Sequence, residues 1–132
     1  MSIQTGQTFP QGSLLRVGEK GPESVSTAEL AEGRVALFGL PGAFTGTCTT
    51  AHVPSFIRNM DALKNKGVDE VVCVSVNDPF VMGAWGEDRN VGDKILMLAD
   101  GNAEFSKAIG LELDASGFGL GIRCQRYSMI VD

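Results

Sequence analysis

The chain has 132 residues, 43% hydrophobic and 20% charged, which is ordinary globular usage and excludes a disordered or fibrous protein. Lys plus Arg number 11 and Asp plus Glu 16, and the resulting net charge of −5 argues against a nucleic-acid or anionic-membrane surface. The length predicts one domain, residues 1–132, large enough to build a core without staples.

Residues 13–17 read as a strand that turns at 18–22. Ser26, three residues before Glu29, forms a capping box that opens a short helix ending at Gly33. Residues 34–40 (RVALFGL) are a continuous apolar run, the pattern of a strand buried on both faces, and Pro41 and Gly42 break it. Over 49–66, Val53, Phe56, Ile57, Met60 and Leu63 line one helical face; Pro54 predicts a kink or a late start, and Gly67 a C-cap. Residues 70–76 (EVVCVSV) give a second buried strand, and Asn77, Asp78 and Pro79 open another helix with Pro79 first. A third strand at 95–98, a turn at 100–102, a short helix at 103–109, a glycine-rich loop at 114–121 and a fourth strand at 126–131 complete the reading. Strands alternating with helices predict an α/β fold whose central sheet is covered on both faces. The last strand is read either as a short edge strand or as the end of a truncated chain.

Cys48, Cys73 and Cys124 are an odd number with no C-x-x-C pair, so a reduced, cytoplasmic chain is expected rather than a disulfide scaffold. The N-terminus has no basic start followed by an apolar run, so no secretory leader is expected, and no apolar run nears the roughly 18 residues of a membrane span.

The sharpest local feature is PGAFTGTC, residues 41–48, placed where a buried strand breaks and a helix begins. A thiol at a helix start is biased toward the reactive thiolate. Thr45, three residues earlier, brings a hydroxyl beside it, and Arg126 is a cation able to reach the same place. Composition leaves a buried structural cysteine equally open.

PGAFTGTC also matches P-x-x-x-T-x-x-C, the peroxiredoxin signature. The neighbouring AHVPSF, VSVNDPFVMGAW and GIRCQRYSMIVD resemble the peroxiredoxin-5-like group (type II, or redoxin), and the resemblance runs in order from about Thr5 to Asp132. It implies a thioredoxin-like fold, a central mixed β-sheet flanked by helices with an N-terminal extension. It implies a thiol-dependent peroxidase that reduces hydrogen peroxide and small organic hydroperoxides through a sulfenic acid at Cys48, with no cofactor or metal. Cys48 resembles the peroxidatic cysteine, Thr45 the threonine beside it, Pro41 the residue that shields the pocket and Arg126 the active-site arginine. Gly46, Thr47, His52, Phe118 and Leu120 are expected around the substrate pocket. Glutathione, glutaredoxin or thioredoxin is the implied reductant. A homodimer is the implied assembly, with Phe80, Phe118 and Leu120 supplying contact. Two departures stand out: Gly46 occupies a position where members usually carry proline, and the strand and C-terminal helix that follow the arginine strand in members are expected to be missing.

Cys73, in an apolar strand run, and Cys124, two residues from Arg126 and on its face if the strand is regular, are candidate resolving thiols. The bland readings are a small core residue for Cys73 and a peripheral thiol for Cys124. His52, four residues after Cys48, permits a Cys–His pair, although the resemblance implies a structural or pocket-lining role. A zinc site of Cys48, His52, Cys73 and Cys124 lacks the C-x-x-C knuckle that such sites favour. The alternative function on the same fold is a redox-sensing or interaction protein without efficient turnover.

Overall fold

The computed structural model describes residues 2–30, 32–46, 53–92 and 94–131. Among the described residues, eight strands and five α-helices follow in the order β1 (Ser13–Gly18), β2 (Gly21–Ser26), α1 (Thr27–Leu30), β3 (Val35–Leu40), α2 (Val53–Arg58), α3 (Met60–Asn65), β4 (Glu70–Ser75), α4 (Pro79–Asp88), β5 (Leu96–Ala99), α5 (Glu104–Ala108), β6 (Glu112–Asp114), β7 (Ile122–Cys124) and β8 (Tyr127–Val131). Six strands form one mixed sheet in the order β2-β1-β5-β4-β3-β8. β3 pairs in parallel with β4, and β4 with β5, while β8 runs antiparallel to β3. This is the α/β sheet expected from the alternation of strands and helices, in the thioredoxin-like arrangement that the resemblance implies.

All six residues of β3 are buried, as a run without polar alternation demands of a central strand. Its side chains divide by pleat. Ala36, Phe38 and Leu40 enter one core with Val53, Met60, Met82 and Trp85, so α2, α3 and α4 cover that face. Val35 and Leu37 enter the other with Leu14, Leu30, Phe105 and Ile109, beneath α1 and α5. Phe38 stacks on Phe56 with centroids 4.0 Å apart, which joins β3 to α2. Asp100, buried just after β5, accepts from the amides of Phe105 and Ser106 and from the Ser106 hydroxyl, so three hydrogen bonds replace its lost hydration.

Four sequence expectations are corrected. The helix expected at 49–66 is, over the described residues, two short helices, and the interruption falls at Asn59 rather than at Pro54. Asn59 Nδ2 donates to the Ser55 carbonyl at 2.7 Å, the local side-chain competition that makes asparagine a poor helix interior, whereas Pro54 is the second residue of the described α2. The stretch after β1 is not only a turn: β2 folds back on β1 with Gly18 opposite Gly21, and its Pro22 is tolerated because β2 is an edge strand. The glycine-rich loop at 114–121 is the tip of a two-stranded ribbon, β6 with β7, closed through a 3-10 turn at Ser116–Phe118. Cys124 therefore ends β7 and does not share a strand with Arg126. Gln125 turns the chain between them, its amide donating to the Leu111 carbonyl at 2.7 Å.

Candidate active site

The site is built where β3 and β4 end together, with Leu40 opposite Ser75. The C-terminal edge of parallel strands is where α/β sheets leave a crevice for ligands. Leu40 is the last residue of β3, and its carbonyl accepts from Ser75 Oγ at 3.0 Å and from Cys124 Sγ at 3.1 Å. Ser75 Oγ also lies 2.8 Å from Asn77 Oδ1, so its single hydrogen is shared between two acceptors. Asn77 Oδ1 in turn accepts from the Ala43 amide at 2.9 Å. The turn that leaves β3 is thus pinned to the loop that leaves β4.

Thr45 closes the turn on itself, its hydroxyl donating to the Gly42 carbonyl at 2.6 Å. That bond uses the only hydroxyl hydrogen and leaves the oxygen lone pairs as acceptors. Phe44 holds a left-handed conformation, φ 59°, and its ring is tilted against Trp85 at 6.4 Å, which ties the strained residue to the core. Gly46 is exposed, and a Cβ there would meet nothing within 4 Å.

Arg126 approaches from the other side. β8 pairs with β3 up to Tyr127 opposite Gly39, and Arg126 is the exposed residue just before that outermost pair, as Leu40 is the residue just after it on β3. Tyr127 packs among Val76, Ala103 and Cys124.

The predicted residues divide accordingly. Pro41, Thr45, Gly46 and Arg126 gather at one end of the sheet. Thr47, Cys48 and His52 lie outside the described residues, between Gly46 and the start of α2. Phe118 is 88% exposed at the ribbon tip and Leu120 37% exposed, and both project from the surface. Cys73 and Cys124 are each fully buried; Cys73 sits mid-strand in the core under α4, and Cys124, expected as a peripheral thiol, is an interior one.

Sequence reasoning missed Arg123. Its Nη1 donates to the Val76 carbonyl at 2.8 Å and the Pro41 carbonyl at 3.4 Å, and its Nε donates to the Leu120 carbonyl at 3.0 Å. Its only sequence signal is a position three residues before Arg126, which does not reveal that the side chain turns inward. Asn77, read as part of a helix start, was missed as the anchor of the turn.

A six-stranded mixed sheet of this order, with helices on both faces, defines a thioredoxin-like α/β fold. Comparison with known proteins narrows this. The chain matches the Redoxin family over residues 4–132. It is 48% identical over 132 residues to Peroxiredoxin-2C of Oryza sativa subsp. japonica and 45% identical to Peroxiredoxin-2D of Arabidopsis thaliana, in each case with 98% of this chain and 82% of the relative aligned. Among solved structures, reduced Prx3 of Vibrio vulnificus in complex with hydrogen peroxide superposes with a TM-score of 0.92 at 53% identity, covering 98% of this chain and 82% of that one. Peroxiredoxin 5 of Alvinella pompejana superposes at 0.85 with 32% identity, covering 98% and 83%. The chain belongs to the Redoxin family of peroxiredoxins and is a thiol-dependent peroxidase.

Proposed function

We propose that Cys48 is the thiol that attacks peroxide, with Thr45, Arg126 and Pro41 completing the site, and that hydrogen peroxide and small organic hydroperoxides are the substrates. The observation that supports this reading is the β3–β8 register, whose outermost pair, Gly39 with Tyr127, lies one residue from Arg126 and two from the PGAFTGTC segment. The Cys48 thiolate attacks the terminal peroxide oxygen. A sulfur–oxygen bond forms, the O–O bond breaks, and the departing oxygen takes a proton to leave as water or an alcohol. Sulfur is oxidised to sulfenic acid while the peroxide is reduced.

Thr45 supports this chemistry by what it has already given away. With its hydrogen on the Gly42 carbonyl, the hydroxyl offers lone pairs to a peroxide O–H and holds the attacked oxygen in line. Arg126 places a fixed positive charge where negative charge moves from sulfur toward the leaving oxygen. Pro41 is half-buried and brings no N–H of its own, which suits a wall that excludes water.

An external thiol, glutathione, glutaredoxin or thioredoxin, reduces the sulfenic acid, in a reduced compartment such as the cytoplasm. A homodimer through Phe80, Phe118 and Leu120 is supported by the exposure of all three, Phe80 at 59%. Residues 1–132 act as one domain. Stopped-flow peroxide consumption with a thiol reductant tests the assignment: the parent protein turns over, and Cys48→Ser does not. Retained turnover in Cys48→Ser sinks it.

A further inference from the structure

We propose that Arg123 is a positioning residue that staples the two halves of the active site together; this rests on Cys48 being the attacking thiol. The site comes from two distant stretches of chain, the segment 41–48, whose described part is the turn at 41–46, and the segment that delivers Arg126. Backbone pairing between β3 and β8 stops one residue short of Arg126. Past that point Cys124 holds the Leu40 carbonyl, and Arg123, three residues before Arg126, reaches further along the turn to donate to the carbonyl of Pro41, seven residues before Cys48.

The same guanidinium holds Val76 and Leu120. Three carbonyls from three loops thus meet one planar fork, an arrangement that lysine's single ammonium cannot reproduce. The packing is close: a Cβ at Gly42 would stand 3.2 Å from Arg123 Nη1, so the glycine lets the guanidinium lie against the turn. A shift of this tie moves the turn relative to Arg126, and misplacement by about 1 Å is enough to cost roughly 100-fold in a reaction that depends on alignment.

Arg123 is not a pillar of the fold. It is half-buried rather than interior, and its ribbon is also paired at Glu112 with Cys124 and at Asp114 with Ile122. Its removal is therefore expected to slow chemistry more than it lowers stability.

The test is the rate at which peroxide oxidises Cys48, measured by stopped flow in the full chain at a pH where the thiol is ionised. Arg123→Ala is expected to react at least about tenfold more slowly than the parent, with millimolar guanidinium restoring most of the loss by refilling the vacated fork. Arg123→Lys, which serves as the variant if Arg123→Ala fails to fold, is expected to be slower than the parent and unresponsive to guanidinium. A loss of less than tenfold in Arg123→Ala, a loss that guanidinium does not restore, or a parental rate in Arg123→Lys overturns the proposal while leaving Cys48 in place. A parent whose Cys48 oxidises no faster than a free cysteine overturns the Cys48 assignment, and this inference with it.

Discussion

Tyr127 stands directly across from Gly39 in the β3–β8 register, and its ring fills the space that a side chain at residue 39 would take. The glycine in an otherwise fully apolar strand is therefore a seat for an aromatic ring. The tyrosine anchors the start of β8 one residue after Arg126, so the seating of a core ring sets where the arginine emerges. The Tyr127 hydroxyl is buried and has no hydrogen-bond partner among the described residues.

Gly39→Ala forces its new methyl into the Tyr127 ring. Overpacking of this kind costs about 1–3 kcal/mol. Chemical denaturation is expected to show that loss, and the double variant with Tyr127→Ala to show a smaller effect of the Gly39 change, since the two positions are coupled by contact.

Tyr127→Phe is expected to stabilise the protein by about 1 kcal/mol, because it removes a buried hydroxyl that gains nothing in the folded state. The pH dependence follows from the same burial. Desolvation, and then the ionisable neighbours Cys124, Asp100 and Cys73, push the Tyr127 pKa above its ordinary value near 10. The folded protein keeps the proton while the unfolded chain releases it. The contribution is therefore fully present below about pH 10 and is lost as pH rises beyond it. Urea midpoints between pH 8 and 11 are expected to fall more steeply for the parent than for Tyr127→Phe; parallel curves contradict the assignment.

Arg126→Lys keeps the charge but loses the planar fork that can hold two oxygens at once. Oxidation of Cys48 is expected to slow about tenfold or more, with the fold unchanged by circular dichroism. Equal stopped-flow rates for variant and parent place Arg126 outside the site.

Recycling is expected to need an external thiol. Cys73 and Cys124 are fully buried, and Cys124 is further held by its bond to the Leu40 carbonyl, so neither is free to meet an oxidised Cys48 without local unfolding. One equivalent of peroxide is expected to add one oxygen by intact mass spectrometry and to leave a product that sulfenic-acid traps capture. Loss of two hydrogens, mapped to an intramolecular bond from Cys48 to Cys73 or Cys124, refutes this.

Periodicity and punctuation were enough to read β1, β3, β4, β5 and β8, the entry to α4 at Asp78 and Pro79, and the caps at Ser26 and Gly67. These are local features: an apolar run long enough to be a buried strand, or a residue whose own side chain or φ ends an element. Strands β2, β6 and β7 were not legible because β2 and β6 have no buried residue, β7 is only three residues long, and all three take their conformation from a partner strand rather than from a hydrophobic pattern of their own.

The site divides in the same way. The PGAFTGTC turn, with Thr45 three residues from Cys48, is contiguous, so the sequence by itself determined which thiol and hydroxyl are candidates and that a strand end carries them. That Arg126 emerges one residue before the Tyr127–Gly39 pair, beside the end of β3, depended on the antiparallel return of β8, and only the tertiary structure decided it. The inward turn of Arg123, the burial of Cys124 and the pinning of Ala43 by Asn77 were likewise settled by tertiary structure. Each answers a backbone or side-chain group from a distant segment, and no local pattern records such a partner because the demand arises only once the segments have met.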